Sequence, residues 1–459
     1  IRNNTPVTDA EEYRESSGID CSLADVLFLA EKNAVYPDRD EIALLDNYIT
    51  EFLLRHVQNP SNLAVGSVIE DQSATASHFG RPLGYPHVFN VYHSMYRIAK
   101  HYGETKRGQS EYLQLAHGTA TAMFKFGWRL YVRTVGVLGY ARVYDLYEDL
   151  LHEGLIDEAE DLLRSIDFKA TELTKLNYPY AGESVMDTSG FEEVVAAARH
   201  VADDEHLERA VRCAYATKSL SPSWWWYGSD KRSWDGADST PLRAQVDRGE
   251  ACHSHTTIPN SLIFFGLMDR DYLALPEAYM RAAFGGMLGP WALVRRDGGA
   301  SMCYCPDLSS KHAGYNSFTG SSGVGYFHYL RGTGAYVLPN RALGTSSFGC
   351  HFEASENKYS VQPWDGVRRR IVMRQIGAEF HLSFGQFERL ELATDLRRFV
   401  ALVKNPSDKD IAVELVVTGL WGTRVELNHE TAIADNGRVV FRVTLPKLAT
   451  TKLEGQVTA

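Results

Sequence analysis

The segment from Ser221 to Asn260 reads SPSWWWYGSDKRSWDGADSTPLRAQVDRGEACHSHTTIPN and is the densest run of aromatic and polar side chains in the chain. Flat rings pack on the C–H faces of sugars, while interleaved carboxylates and guanidinium groups bind hydroxyls. Trp224, Trp225, Tyr227 and Trp234 supply rings; Asp230, Arg232 and Asp235 supply polar groups. Three consecutive tryptophans cannot all face one core from a loop, so at least one is expected to face a cleft. The plainer alternative is that all of them anchor a long loop.

A second constellation, YPYAGESVMDTSGFEEV from Tyr178 to Val194, carries Glu183 and Asp187 on a loop that runs into a helix. Ser189 with Glu192 three residues on fits a capping box, which gives Glu192 a structural task and leaves Glu183 and Asp187 without one. Hydrolysis of a glycosidic bond needs one carboxylic acid to protonate the leaving oxygen. A second carboxylate acts as nucleophile or activates water. Glu183 is the expected general acid and Asp187 or Asp235 its partner. Spacing along the chain does not set the carboxylate separation that decides between inversion and retention.

Glu250, His253 and His255 have the look of a metal cluster, since His-x-His on a strand can offer two nitrogens to one ion. A histidine that binds substrate or acts as base is the stronger reading, with His255 as the reactive one. No metal and no cofactor is expected. His87 and His93 sit among Tyr85, Tyr92 and Tyr96, and helical spacing scatters them, so only His87, at the helix start, is a natural cleft residue. Further on come Tyr304, Asp307, His312, Tyr315 and Asn316, of which Tyr315 is a candidate substrate contact. GSSGVG lacks the Lys-Ser/Thr and the strand–turn–helix setting of a phosphate loop, and its glycines read as sites of close packing.

The elements that must position these residues change character along the chain. From about Leu23 to Met287 apolar residues recur at three- and four-residue spacing in segments of helical length. The clearer ones are Glu41–Arg55, Val88–His101, Glu111–Phe126, Val135–His152, Ile156–Leu173, Ser189–Val201, Glu205–Leu220, Thr256–Met268 and Leu273–Met287. Short connections without intervening strands favour antiparallel pairing of neighbouring helices; a closed ring and an open superhelix both satisfy this. After Gly298 short strand-like runs take over: Ala300–Tyr304, Ala335–Leu338, Ile371–Arg374, Glu379–Phe384, Phe399–Val403, Ile411–Val417 and Val439–Leu445.

Bulk properties bound the function. The 459 residues, 44% hydrophobic and 23% charged, exceed what one core usually supports and leave no long low-complexity tract. A net charge of −11 argues against nucleic acid as a partner. The one basic cluster, Arg368 to Arg370, reads as a solvated strand edge. No apolar run of about 18 residues exists, so no membrane span is expected. Six cysteines without CxxC pairs make neither a disulfide scaffold nor a zinc site.

With these residues in hand, the chain resembles the (α/α)-toroid carbohydrate-active enzymes that carry a C-terminal β-sandwich. The segments YPHVFNVYHSMYRIAK, PYAGESVMDTSGFEEV, YGSDKRSWDG and GYFHYLRGTGAYVL are similar to a bacterial and fungal group of glycoside hydrolase-like toroid proteins. The resemblance implies an α+β multidomain chain: an (α/α)6-type helical toroid over 1–297, carrying catalysis, and an antiparallel β-sandwich over 298–459. Matching positions are His87, Glu183, Asp187, Gly190, Glu192, Arg232, Trp234, Asp235 and His255. In that group a β domain precedes the toroid, so a chain starting at Ile1 reads as a processed form or fragment with an upstream β domain or second fragment as a partner. A secreted or periplasmic location is favoured over the cytoplasm.

The chief rival is a polysaccharide lyase, because toroid-plus-sandwich lyases share this architecture. β-Elimination needs a Tyr or His base and a neutralising Asn, His or Arg beside the uronate carboxylate. His255, Tyr227, Tyr315, Asn316 and Arg232 are suited to those tasks. A non-catalytic carbohydrate-binding protein using the aromatic loop alone is the second rival.

Overall fold

The computed structural model describes residues 23–66, 79–179, 182, 188–219, 223–226, 252–266, 276–294, 296, 303–304, 320–340, 342–420, 424–428, 430–433 and 437–457. Among these are twelve α-helices: α1 Ala24–Val35, α2 Arg39–Tyr48, α3 Tyr85–His101, α4 Gln109–Phe126, α5 Arg129–Thr134, α6 Val143–His152, α7 Ile156–Thr174, α8 Phe191–His200, α9 Asp204–Ala216, α10 Ser254–Phe265, α11 Pro276–Leu288 and α12 Gly320–Gly332. Local chemistry sets several boundaries. Asp38 accepts from the backbone N–H of Asp40 and Glu41 at 3.0 and 3.1 Å and so caps α2. Asp203 does the same for α9 through His206 N at 2.9 Å. The helix expected over Glu41–Arg55 is α2 continued as a π-helical stretch, Ile49–Val57. None of the described helices is long and apolar enough to cross a membrane.

Helix α12 departs from expectation, because its sequence GSSGVGYFHYLRG is poor in helix formers. Packing overrides propensity here. A Cβ on Gly325 would come within 2.7 Å of the Ser254 carbonyl oxygen, and one on Gly332 would run into the Leu262 side chain, so the bare glycines let α12 lie against α10. The close-packing reading of GSSGVG therefore holds at Gly325, inside a helix. The expected strand Ala300–Tyr304 is described only at β2, Cys303–Tyr304, which pairs antiparallel with β1, Cys252–His253, ahead of α10.

From Ala335 onward the chain is β-structure: β3 Ala335–Asn340, β4 Gly344–Phe348, β5 Cys350–Ala354, β6 Lys358–Pro363, β7 Arg370–Met373, β8 Ala378–Leu382, β9 Gln386–Ala393, β10 Arg398–Lys404, β11 Ile411–Thr418, β12 Arg424–Leu427, β13 Glu430–Ile433, β14 Arg438–Leu445 and β15 Thr450–Val457. They form a seven-stranded sheet, β13-β12-β15-β10-β9-β6-β5, and a six-stranded sheet, β14-β11-β8-β7-β3-β4. Pairing is antiparallel except between β3 and β7, which run parallel. Alternation along β10 and β11 buries every second residue. The buried faces share one core, with the Phe380 ring of one sheet edge-on to Phe399 of the other at 5.1 Å.

The Arg368–Arg370 cluster is not a solvated edge. β7 lies between β8 and β3, and Arg369 is only 6% exposed. Its Nη2 donates to the Ala34 carbonyl of α1 at 2.7 Å, which joins sheet to helices. Other links between the two parts are Tyr102 to Asp408 at 2.8 Å and the His101 ring stacked on Phe384.

Candidate active site

Three helices begin with polar residues that are buried. His87 is the third residue of α3, Glu192 the second of α8 and His255 the second of α10. Helix starts present unpaired N–H groups and the positive end of the helix dipole, so a carboxylate is stabilised there and an imidazole is kept from protonating. The turn Val137–Gly139 ties α3 to the start of α8. Asn90 of α3 donates to the Gly139 carbonyl at 2.9 Å, Gly139 N donates to Glu192 Oε2 at 3.1 Å, and Val137 N donates to Glu193 Oε2 at 2.6 Å. Gly139 adopts φ 78°, a conformation that favours glycine.

Glu192 Oε2 also meets His328 Nε2 of α12 at 3.0 Å, while His328 Nδ1 faces the Val324 carbonyl at 2.7 Å. Both ring nitrogens thus face oxygen atoms. Burial pushes the Glu192 carboxyl upward, but the His328 charge and hydrogen bond, Arg142 and the Gly139 N–H outweigh it and hold the group at about 2. Arg142 Nη2 stands 3.6 Å from Glu192 Oε1. The neighbouring Glu193 is salt-bridged to Lys169 at 2.7 Å, both fully enclosed, and burial raises Glu193 against the pull of that ammonium. Both glutamates are therefore committed to structural pairs. The capping-box reading of Glu192 is corrected accordingly: α8 starts at Phe191, and the carboxylate reaches across to His328 and Gly139.

His87 and His255 are different. Each has a buried Nδ1 with no hydrogen-bond partner among the described residues. Burial, and secondarily the charge of His328, pushes His87 down to about 3. Burial, then His253 and His87, lowers His255 well below the usual imidazole range. The His253 and His255 rings lie 4.8 Å apart. The unpartnered Nδ1 atoms of His87 and His255 are placed to accept a hydrogen bond from a hydroxyl. No group of three or more His, Cys, Asp or Glu among the described residues is arranged to hold a metal ion, and Glu250 lies outside them.

Of the aromatic triplet, Trp226 is buried, with Nε1 donating to the Ala214 carbonyl at 2.7 Å. Trp225 is buried with Cys252 and Leu293. Trp224 is 43% exposed and lies over α11, where a Cβ on Gly285 would meet its ring at 2.9 Å. Glu183, Asp187, Tyr227, Asp230, Arg232, Trp234, Asp235 and Tyr315 lie outside the described residues, as do Asp307, His312 and Asn316. One described contact bears on them: Asn260 Nδ2 of α10 donates to the carbonyl of Thr188, the residue after Asp187, at 3.0 Å. The structure thus brings His87, His253 and His255 together. It adds His328, Arg142, Asn90 and Lys169, which no local pattern singles out because each acts through a partner far away in sequence.

Residues 67–452 match DUF5695, a family of unknown function, and the chain belongs to that family. No curated protein matches it in sequence. Among solved structures it is similar to a polysaccharide lyase, with 17% identity and a TM-score of 0.49 over 72% of this chain and 46% of the lyase. It is also similar to a GH76 alpha-mannanase of Bacteroides thetaiotaomicron, with 10% identity and a TM-score of 0.40 over 69% of this chain and 86% of the mannanase. A GH127 beta-arabinofuranosidase gives 13% identity and a TM-score of 0.43 over 99% of this chain and 73% of that enzyme. All three likenesses are distant. The chain spans less than half of the lyase's length.

Proposed function

We propose that the chain is a carbohydrate-active enzyme that hydrolyses glycosidic bonds of a poly- or oligosaccharide. In this reading the helices close into an (α/α) toroid, a β-sandwich follows, and the active site lies over the starts of α3, α8 and α10. The carrying observation is the bond from Asn260 to the Thr188 carbonyl, which joins the residue after Asp187 to the helix that bears His255. Glu183 then serves as general acid, Asp187 or Asp235 as its carboxylate partner, and His87 and His255 accept hydrogen bonds from substrate hydroxyls. The committed pairs of Glu192 and Glu193 support this division, because they leave the loop carboxylates as the titratable acids of the site. Trp224 offers an exposed ring for a sugar face.

A second reading, β-elimination on a uronate polymer, draws on one specific observation: the buried Nδ1 atoms of His87 and His255 have no hydrogen-bond partner among the described residues, which leaves a ring nitrogen available to a substrate proton. Incubation with neutral and uronic-acid polysaccharides, following new reducing ends and ultraviolet absorbance of unsaturated uronates, separates the two. Reducing ends alone, with a loss of about 10²–10⁴-fold in Glu183→Gln, is the expected result. Reducing ends with the ultraviolet signal would move the chemistry to the histidines.

A further inference from the structure

A cavity of about 640 Å³ lies between α3, α6 and α12 on one side and strands β7, β8, β11 and β14 on the other. Its volume is in the range of small-molecule sites, about 300–1,000 Å³. Eight arginine and lysine side chains line it against five carboxylates. Several of these cations are matched: Arg97 to Glu31 at 2.7 Å, Arg331 to Asp145 at 2.5 Å, Lys100 to Glu153 at 2.8 Å and Arg442 to Glu414 at 3.3 Å.

Arg369 is not matched by a carboxylate among the described residues. Its bonds are the Ala34 carbonyl and the face of Phe384, 5.2 Å from the ring centroid, and its buried Nε has no hydrogen-bond partner among the described residues. The neighbouring Arg370 is ion-paired with Glu379 at 3.7 Å, and its buried Nε has no hydrogen-bond partner among the described residues, so Arg369 alone of the two lacks a counter-ion. A desolvated guanidinium lacking a counter-ion is costly, and its fork geometry fits the two oxygens of a carboxylate or phosphate. Burial, and then the charges of Arg370, Arg369 and Arg97, push His381 in the cavity wall down to about 3. The wall also carries the acceptors Asp149 and Glu153 and the Ser383 hydroxyl, which suit ligand hydroxyls.

We propose that this cavity binds a sugar bearing a single oxyanion group, with the anion on Arg369 and Arg370 and the hydroxyls toward Asp149, Glu153 and Ser383. The sugar part rests on the carbohydrate reading above; the oxyanion part does not. Isothermal titration calorimetry of the full chain with glucuronate, glucose 6-phosphate, inorganic phosphate and glucose tests it. Saturable binding of glucuronate or of glucose 6-phosphate is expected, and which of the two binds identifies the anion as carboxylate or phosphate. Glucose is expected not to bind.

Arg369→Gln and Arg370→Gln are each expected to weaken binding at least about tenfold, the loss of one charge-assisted fork. Arg369→Lys, which keeps the charge and loses the fork, should fall between. No binding of either charged sugar to the unaltered chain would overturn the proposal without reliance on any variant. Wild-type affinity in both glutamine variants would overturn it as well. Inorganic phosphate binding as tightly as glucose 6-phosphate would overturn the sugar part, while the polysaccharide assay decides the carbohydrate reading separately.

Discussion

Glu192 Oε2 stands 3.0 Å from His328 Nε2 across 136 positions of sequence, and this bond holds the start of α8 to the middle of α12. Removing one partner of a buried ionic pair leaves the other uncompensated. Glu192→Ala is therefore expected to cost about 3–5 kcal/mol of stability in urea denaturation. Glu192→Gln keeps an acceptor for the Gly139 N–H and should cost less. Equal losses in the two variants would show that the charge is irrelevant.

The pH dependence of stability should come in two windows. Glu192 sits at about 2 in the folded chain against an ordinary 4.5, because its cationic partners outweigh burial. Its contribution is complete above pH 4.5 and is lost as pH falls toward 2. His87 sits at about 3 against an ordinary 6.5, chiefly through burial, so the unfolded chain binds that proton first. Stability should thus begin to fall below pH 6.5. Calorimetric melting across both windows checks this: His87→Gln should flatten the upper limb and Glu192→Gln the lower one.

Lys169 and Glu193 form a fully enclosed pair, with the Lys169 ammonium also 4.5 Å above the Tyr140 ring. Lys169→Met alone strands the carboxylate and is expected to cost about 3–5 kcal/mol. Lys169→Met combined with Glu193→Leu should recover much of that loss, because an apolar pair of similar volume needs no charge compensation. A double variant as unstable as the single one would count against the argument.

Gly325→Ala raises intrinsic helix propensity by about 1 kcal/mol. Even so, it should destabilise the chain, because the new methyl meets the Ser254 backbone oxygen at 2.7 Å and α12 must shift away from α10. Overpacking of this kind costs about 1–3 kcal/mol. A rise in melting temperature would show that the two helices separate freely.

Much of the helical and strand layout was legible because its cause is local. The expected Ile156–Leu173 differs from α7, Ile156–Thr174, by one residue, and Ile411–Val417 differs from β11 by the same amount. Such periodicity needs only that one face of the element be buried. Glycine-rich α12 is missing from the expected helices because its helicity depends on contact with Ser254 and Leu262, which no window around residue 325 contains. The Arg368–Arg370 cluster was read as an edge because charge suggests solvent, whereas β7 is flanked by β8 and β3.

For the candidate site, the sequence by itself determined which residue types are available: a histidine at a helix start, a His-x-His pair, a segment with Glu183 and Asp187, and a tryptophan run. Tertiary structure alone decided that His87, His253 and His255 share one buried place, that Glu192 belongs to His328 and Glu193 to Lys169, and that Trp224 keeps an exposed face while Trp225 and Trp226 do not. The physical reason is that burial and charge pairing join groups distant in sequence. A side chain's protonation and exposure are set by those neighbours, not by the residues beside it in the chain.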